Sequence, residues 1–320
     1  MSFPGVITDR ARISSTWEAL CAGRNDLTPF QRPEFLSGLM RSVPWAPILV
    51  DWDQGLSQWA FVRQRGPSTD LVLPPFCPFS SLLFAPDSTP AQRATSLEAT
   101  GMRGAGLPES RLLAIDPQDW AATGRPSAPA GLSQQDMATW VINLAPLEDL
   151  MQDWSASSRR TWRKHKDDYQ FDEGGAVSDL VELVAAGYAR HGKRLPIPGP
   201  ALISWSEDLI RTGIGRLYTL MQGSRLAAGV LVLRGPVRAW YWLAGSRPGP
   251  SMTVLLGHLL PHLHEQGVPA FDFMGANTPG ISEFKRRFGG SRVSYPHWLH
   301  RTPTARLLEK AARIRQVWRR

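Results

Sequence analysis

Between residues 216 and 274 the chain alternates so regularly that few folds can accommodate it. Three apolar runs, Arg216–Met221, Ala227–Leu233 and Arg238–Ala244, are separated by the turn residues Gln222-Gly223-Ser224 and Arg234-Gly235-Pro236. Short apolar runs punctuated in this way predict an antiparallel meander. A strong helix follows over Ser251 to Gln266, with Ser251 expected as its N-cap and Gly267 closing it. A short apolar strand, Ala270 to Met274, comes next. Two helices, Val177 to His191 and Ala201 to Thr212, precede the meander. The expected class is α/β (α+β), with mixed, mainly antiparallel sheets.

The first half repeats the order without repeating the residues. Helices are expected near 13–23 and over Phe30 to Met40, with Pro33 in the first turn of the second. A hairpin is expected from Ile48–Trp52 and Leu56–Arg65, turning at Asp53-Gln54-Gly55. Val72 to Phe84 is apolar but broken by Pro74, Pro75 and Pro78, so it reads as a strand edge or loop. Thr89 to Arg103 reads as a helix capped by Ser88 or Thr89 and ended by Gly104, followed by a strand over Ser110–Ile115 and a helical turn at Pro117–Ala122. A loop at Gly124–Gly131 leads to a strand over Ala138–Leu144. Leu147 to Gln170 reads as a polar helical connector. This order suggests two copies of one α/β fold, 1–146 and 147–300. A last helix over 301–320 carries Leu307, Leu308, Ala311, Ile314, Val317 and Trp318 as an apolar stripe. Its basic opposite face leaves two uses open, docking back on the first domain or lying on a membrane surface.

Of 320 residues, 42% are hydrophobic and 20% charged, the balance of a packed protein. Two cysteines, Cys21 and Cys77, cannot build a disulfide framework. The first residues carry no apolar core of a secretory signal, and no apolar run is long enough to cross a bilayer. A cytoplasmic monomer is expected. The net charge of +8 is uneven, because Arg301–Arg320 holds seven basic residues against the single acid Glu309. Smaller basic clusters lie at Arg159–Lys166 and Lys285–Arg292. They suit tRNA, a nucleotide-linked substrate or a phosphorylated cofactor, or simply a solvated face.

The site candidates gather around PAFDFMGANTPGISEFKRRFGG, Pro269 to Gly290. A strand that ends at Gly275, a polar turn and a basic helical segment over Ile281–Phe288 offer a fixed position, backbone donors and a charge. Asp272 lies among apolar strand neighbours, so its carboxylate needs a partner and serves as an orienting group or a base. Asn277 and Glu283 flank the turn as acceptor-binding candidates, with Phe284 and Arg286 beside them. Tyr241 and Trp242 take opposite faces of their strand, one toward a cleft and one toward the core. His258, His262 and His264 share a helix without the spacing of a metalloprotease, and no metal site is expected.

The words DFMG and ISEFKRRFGG resemble the late strand and the FK-R-FGG helix of the FemABX family of tandem GNAT transferases. The run SSRRTWRKHKDDY resembles the helix that joins that family's halves, with His165 where a small residue is usual. FQRPEF resembles its F-Q-x-x-x-W start, with Phe35 in place of Trp. The resemblance implies two tandem GNAT-like domains and an acyltransferase that forms amide bonds. It places Lys285 at the transfer centre, holding a phosphate or stabilising an oxyanion. It implies aminoacyl-tRNA as donor, with no tightly bound cofactor, and an amine or peptide such as a peptidoglycan precursor as acceptor. The alternative is an acyl-CoA donor. Arg247-x-Gly249-x-Ser251 is a degenerate form of the loop that binds pyrophosphate in acetyl-CoA-using members, since Pro248 and Pro250 remove two amide donors. A non-catalytic protein that binds nucleic acid or a membrane surface through its basic tail is the remaining reading.

Overall fold

The computed structural model describes residues 5–52, 55–65, 68–101, 107–108, 110–275 and 277–301. In chain order its elements are β1 (Gly5–Ile7), α1 (Arg10–Cys21), α2 (Pro33–Ser42), β2 (Ala46–Asp51), β3 (Leu56–Arg65), β4 (Ser68–Val72), β5 (Ser81–Phe84), α3 (Pro90–Ala99), β6 (Ser110–Ala114), α4 (Pro117–Ala122) and β7 (Ser133–Asn143). They continue with α5 (Leu147–Asp153), α6 (Ala156–His165), β8 (Gln170–Glu173), α7 (Val177–Arg190), α8 (Gly199–Arg211), β9 (Gly215–Gln222), β10 (Arg225–Arg234), β11 (Ala239–Ser246), α9 (Ser251–Glu265), β12 (Ala270–Asp272), α10 (Pro279–Arg286) and β13 (Ser291–His300). The expected α/β class with mixed, mainly antiparallel sheets is what forms.

The chain divides into two compact units. One comprises residues 1–24, 44–136 and 295–320, the other 25–43 and 137–294. In the first, β2, β3 and β4 form an antiparallel meander, and β6 joins β4 in parallel after α3. The proline-broken segment supplies β5, which pairs with the start of β3. Thr89 and Gln92 close a reciprocal capping box at the start of α3. Buried Ile48, Val50, Trp52, Leu97, Leu113 and Trp298 belong to its core.

In the second unit β9, β10 and β11 are the expected meander, and β12 joins β11 in parallel after α9. β7 pairs antiparallel with β12 on its other side. β8 extends the far edge on β9, although its sequence QFDE gave no strand signal of its own. The core lies between this sheet and α9, whose Val254, Leu255, Leu256, Leu259, Leu260 and Leu263 are fully enclosed.

Three local readings change. The boundary at 146/147 does not coincide with the compact units. Residues 25–43 belong to the second because Phe35 packs edge-on against Trp205 and Trp242, at 4.9 and 5.9 Å. Residues 295–300 belong to the first, where β13 pairs with β6. The connector is not one helix. Ser155 accepts the Ser158 amide as N-cap of α6, and Arg159 reaches back to the carbonyls of Met151, Gln152 and Trp154 at the end of α5. Ser251 is the first residue inside α9, not its cap. The expected helix over 301–320, the turn at Asp53-Gln54 and the helix end at Gly104 lie outside the described residues, apart from Arg301. Among the described residues no helix is long and apolar enough to cross a membrane.

Candidate active site

The second unit concentrates its buried charge where β12 ends. Strand alternation puts Phe271 and Phe273 in the core and turns Asp272 the other way. The carboxylate is fully buried and meets three donors. Its Oδ1 accepts the Thr139 hydroxyl from β7 and the Met274 amide at 2.7 Å, and its Oδ2 accepts Arg238 Nη1 at 3.2 Å. Burial pushes the carboxyl above the usual carboxylate range, against the pull of those donors. Thr139 and Arg238 were not singled out by sequence. Their roles depend on strand neighbours that no local pattern specifies.

Past Asp272 the backbone curls. Met274 and Gly275 take left-handed φ values of 52° and 41°, which suits glycine and is unusual for methionine. The curl turns three successive carbonyls onto one point, and Lys285 occupies it. Its Nζ donates to Phe273 O at 2.7 Å, Gly275 O at 2.8 Å and Met274 O. An ammonium has three N–H groups, and all three are engaged. The side chain is 7% exposed. Burial draws its pKa down to about 8, while the charge of Asp272 pulls the other way. The Tyr241 ring lies 5.8 Å from Nζ, within cation–π range. In this arrangement Lys285 pins the loop and has no N–H left to offer a substrate.

Beside this point β11 is open along one edge. Its parallel ladder with β12 covers only Ala239↔Phe271 and Trp240↔Asp272, whereas its ladder with β10 runs on to Ser246. Opposite Leu231 and Val232 the register shifts, so Trp242 is an extra residue between Tyr241 and Leu243. Such a bulge bends the strand and re-aims its backbone groups. Strand alternation separates the two aromatics as expected. Tyr241 packs toward Phe273, and its hydroxyl donates to Met252 Sδ at 3.1 Å. Trp242 is buried against Trp205 and Phe35 on the other face. Burial pushes the Tyr241 phenol well up.

The β11–α9 loop is braced from inside. Arg247 Nε donates to Leu226 O at 2.9 Å, and buried Ser251 Oγ donates to Ala227 O at 3.2 Å. Gly249 holds a φ of 125°, and the Pro250 carbonyl accepts the Val254 amide. The first amides of α9 are those a helix leaves without internal partners.

The remaining candidates sit on α10 and its approach. Phe284 packs on the core and meets Phe288 edge-on at 5.2 Å. Asn277 Oδ1 accepts the Ala138 amide at 2.9 Å, tying the turn to β7. Glu283 is bound by Arg286 through two bonds of 2.8 and 3.0 Å and by Arg287 at 3.4 Å. The basic trio therefore separates into one buried, clamped lysine and two surface arginines sharing an acid. His258 is stacked against Phe171, and His262 meets Glu173 at 3.3 Å.

Residues 152–286 match the family described as Acetyltransferase (GNAT) domain. No curated protein matches the chain. Among solved structures, the C-terminal domain (DUF2156) of a lysylphosphatidylglycerol synthetase from Agrobacterium fabrum is similar at TM-score 0.57 and 14% identity, covering 96% of this chain and 97% of that one. L-PGS from Bacillus licheniformis is similar at TM-score 0.57 and 12% identity, covering 98% of each chain. FemX is similar at TM-score 0.55 and 11% identity, covering 91% of this chain and 96% of that one. At these identities the likeness is one of fold.

Proposed function

From the premise that the chain carries a GNAT acyltransferase domain at residues 152–286, we propose that it forms an amide bond by moving an aminoacyl group from aminoacyl-tRNA to an amine acceptor, such as a peptidoglycan precursor or a small peptide. The single observation that carries this reading is the open edge of β11, bulged at Trp242 next to the buried Asp272 and Lys285. An aminoacyl ester is already activated, so the reaction needs alignment of two substrates and donors for a developing oxyanion.

The acceptor nitrogen attacks the ester carbonyl. A C–N bond forms, the ester C–O bond breaks, and the ribose hydroxyl leaves carrying the proton that the amine gives up. In this reading the oxyanion donor is a backbone N–H of the bulged segment Tyr241–Leu243 that is turned away from β10 toward the open edge. Lys285 and Asp272 act as positioning residues. The lysine holds the carbonyls of 273–275, the aspartate holds the Met274 amide, and together they fix the loop that leads to α10. Asn277, Glu283 and Arg286 form the polar approach for the acceptor, and Phe284 supports it by packing on the core. Tyr241 shapes the wall beneath Lys285, whereas Trp242 contributes by packing.

A polyanionic donor is supported by the FemABX-like words and by the exposed cations of α6. The second reading, an acyl-CoA-dependent N-acetyltransferase, is favoured by the N-terminus of α9 with Arg247, Gly249 and Ser251 at its entry. Pro248 and Pro250 thin its amide donors. The deciding experiment offers the purified chain and an amine acceptor two donors, tRNA charged with a labelled amino acid and labelled acetyl-CoA. Label appearing in an amide from the charged tRNA is the expected result. Consumption of acetyl-CoA alone transfers the assignment to the second reading. If neither donor is consumed while nucleic acid or vesicles are retained through residues 301–320, the protein is a binding module instead.

A further inference from the structure

The basic cluster of α6 has been sorted by the fold into two kinds of cation. Trp162 faces inward and packs onto α9 at Gly257, where an added Cβ would overlap the indole, so only glycine allows the approach. Arg159 is spent on the carbonyls that end α5. Arg160, Arg163 and Lys164 point the other way, are exposed, and line one concave surface together with Ala156 and Arg159. Arg160 and Lys164 are one turn apart, about 5–6 Å between Cβ atoms, with Arg163 between them. Exposed Lys166 follows at the helix end.

These cations lack the carboxylate partners that several other surface arginines have. Arg286 and Arg287 share Glu283, Arg216 has Glu173, and Arg41 and Arg211 share Asp208. Among the described residues no carboxylate pairs with Arg160, Arg163 or Lys164. The nearest acids in sequence are Asp167 and Asp168, and Asp168 is bonded to His165 at 2.7 Å. Like charges one helical turn apart repel, so this row costs the free protein stability and is relieved by a polyanion. Two partners offer repeated phosphates, a nucleic-acid backbone and an anionic lipid surface. A membrane-surface helix needs large apolar side chains beside its cations. The exposed large apolar side chains of the described residues are Leu20, Val237 and Ile281, none of them on α6. That favours the nucleic acid.

We infer that the outward face of α6, Arg160, Arg163 and Lys164, is a docking surface for the phosphate backbone of an RNA. Which RNA it is rests on the reading of the donor as aminoacyl-tRNA. The contacts are to phosphates and carry no base preference, so the surface orients the RNA while the β11 edge handles the acyl group.

The test uses the full chain and deacylated bulk tRNA as probe, with binding measured across a salt series. The combined variant Arg160→Gln, Arg163→Gln, Lys164→Gln is compared with Arg41→Gln, Arg211→Gln, Arg225→Gln, which removes as many surface charges elsewhere. The α6 variant should weaken binding at least ~10-fold at 0.1 M salt and flatten the salt slope by about 2–3, near 0.9 per lost phosphate contact, with the control close to wild type. Its thermal unfolding midpoint should lie at or slightly above that of wild type, because the repulsion within the row is gone, and transfer from a short donor, the aminoacyl ester of adenosine, should be unchanged. Equal tRNA affinity in wild type and the α6 variant, with transfer from charged tRNA intact in both, overturns this surface and leaves the donor reading standing. Loss of binding to phosphatidylglycerol–phosphatidylcholine vesicles without loss of tRNA binding overturns it in favour of lipid. A wild-type chain that ignores tRNA and consumes acetyl-CoA removes the donor reading and this surface together.

Discussion

The two units use one topology to different ends. Each runs a meander, a helix and a strand that returns parallel to the meander's last strand. The parallel ladder is Asp70↔Ser110 and Leu71↔Arg111 in the first unit, and Ala239↔Phe271 and Trp240↔Asp272 in the second. They part in two places, the link from meander to helix and the segment after the parallel strand. In the first unit residues 73–89 wander through β5 before α3, and β6 leads to Asp116, which accepts the Gln118 amide at 2.8 Å as a helix cap. In the second, only residues 247–250 separate β11 from α9, and β12 leads into the carbonyl curl around Lys285. Arg111 in the first unit is a buried cation too, bonded to Thr100 O at 3.1 Å and lying 5.7 Å from the Trp52 ring. Buried cations on carbonyls and aromatics are thus a building device of this fold. What distinguishes the second unit is that the device stands next to a bulged strand edge that β12 leaves unpaired, and the proposed transfer site rests on that combination.

The sharpest way to break the comparison is to remove the acid at each strand end. Asp272→Ala strands Arg238, removes the charge that favours the Lys285 ammonium, and should cost on the order of 3–5 kcal/mol in urea unfolding. Asp116→Ala removes a cap and should cost ~1 kcal/mol. Equal losses would mean that the buried charges of the second unit are not a coupled cluster.

A smaller effect comes from titrating the clamp. A lysine whose folded pKa is about 8 binds fewer protons in the native state than in the unfolded one between about 8 and 10.4. Stability attributable to Lys285 should therefore rise with pH across that window, by roughly 3 kcal/mol at the ceiling. Below pH 8 both states hold the proton and the cost of burying it is fully present. The measurement is the unfolding free energy of wild type minus that of Lys285→Met, from pH 7 to 10.5. A flat difference would show that the ammonium is not desolvated. Turnover should move the opposite way, falling above pH 8 as the neutral amine releases one of three carbonyls.

How far the sequence disclosed this depends on whether a feature is local. The meander was legible because Gly223 and Gly235-Pro236 close its turns, and α9 because its apolar residues are periodic over fifteen positions. β8 was hidden because a four-residue polar edge strand takes its register from β9. The α5–α6 break was hidden because Arg159, read as part of a charge run, is a cap. Within the site, Lys285 and Asp272 stood out by residue type and resemblance. The clamp did not, since it requires a left-handed Met274 that no propensity favours. Thr139 and Arg238 reach Asp272 only once β7 and β11 flank β12.

Thr139 also offers the smallest and most local test. Thr139→Val keeps the shape, removes one of three donors to Asp272, and should cost ~1–2 kcal/mol at neutral pH. In the first unit, Thr89→Ala strips one bond from a solvent-facing cap and should cost a comparable ~1 kcal/mol. Magnitude cannot separate the two, but pH does. The Asp272 carboxyl is already raised by burial, and losing the hydroxyl raises it further. A carboxyl with a raised folded pKa keeps its proton in the native state while the unfolded state ionises, so its stability contribution declines as pH climbs through about 3.9. The deficit of Thr139→Val should thus widen from pH 4 toward 7, whereas that of Thr89→Ala should stay constant. A constant deficit in both would place the Thr139 hydroxyl on an already neutral carboxyl and would recast Asp272 as a hydrogen-bonding anchor with no charge to hold Arg238.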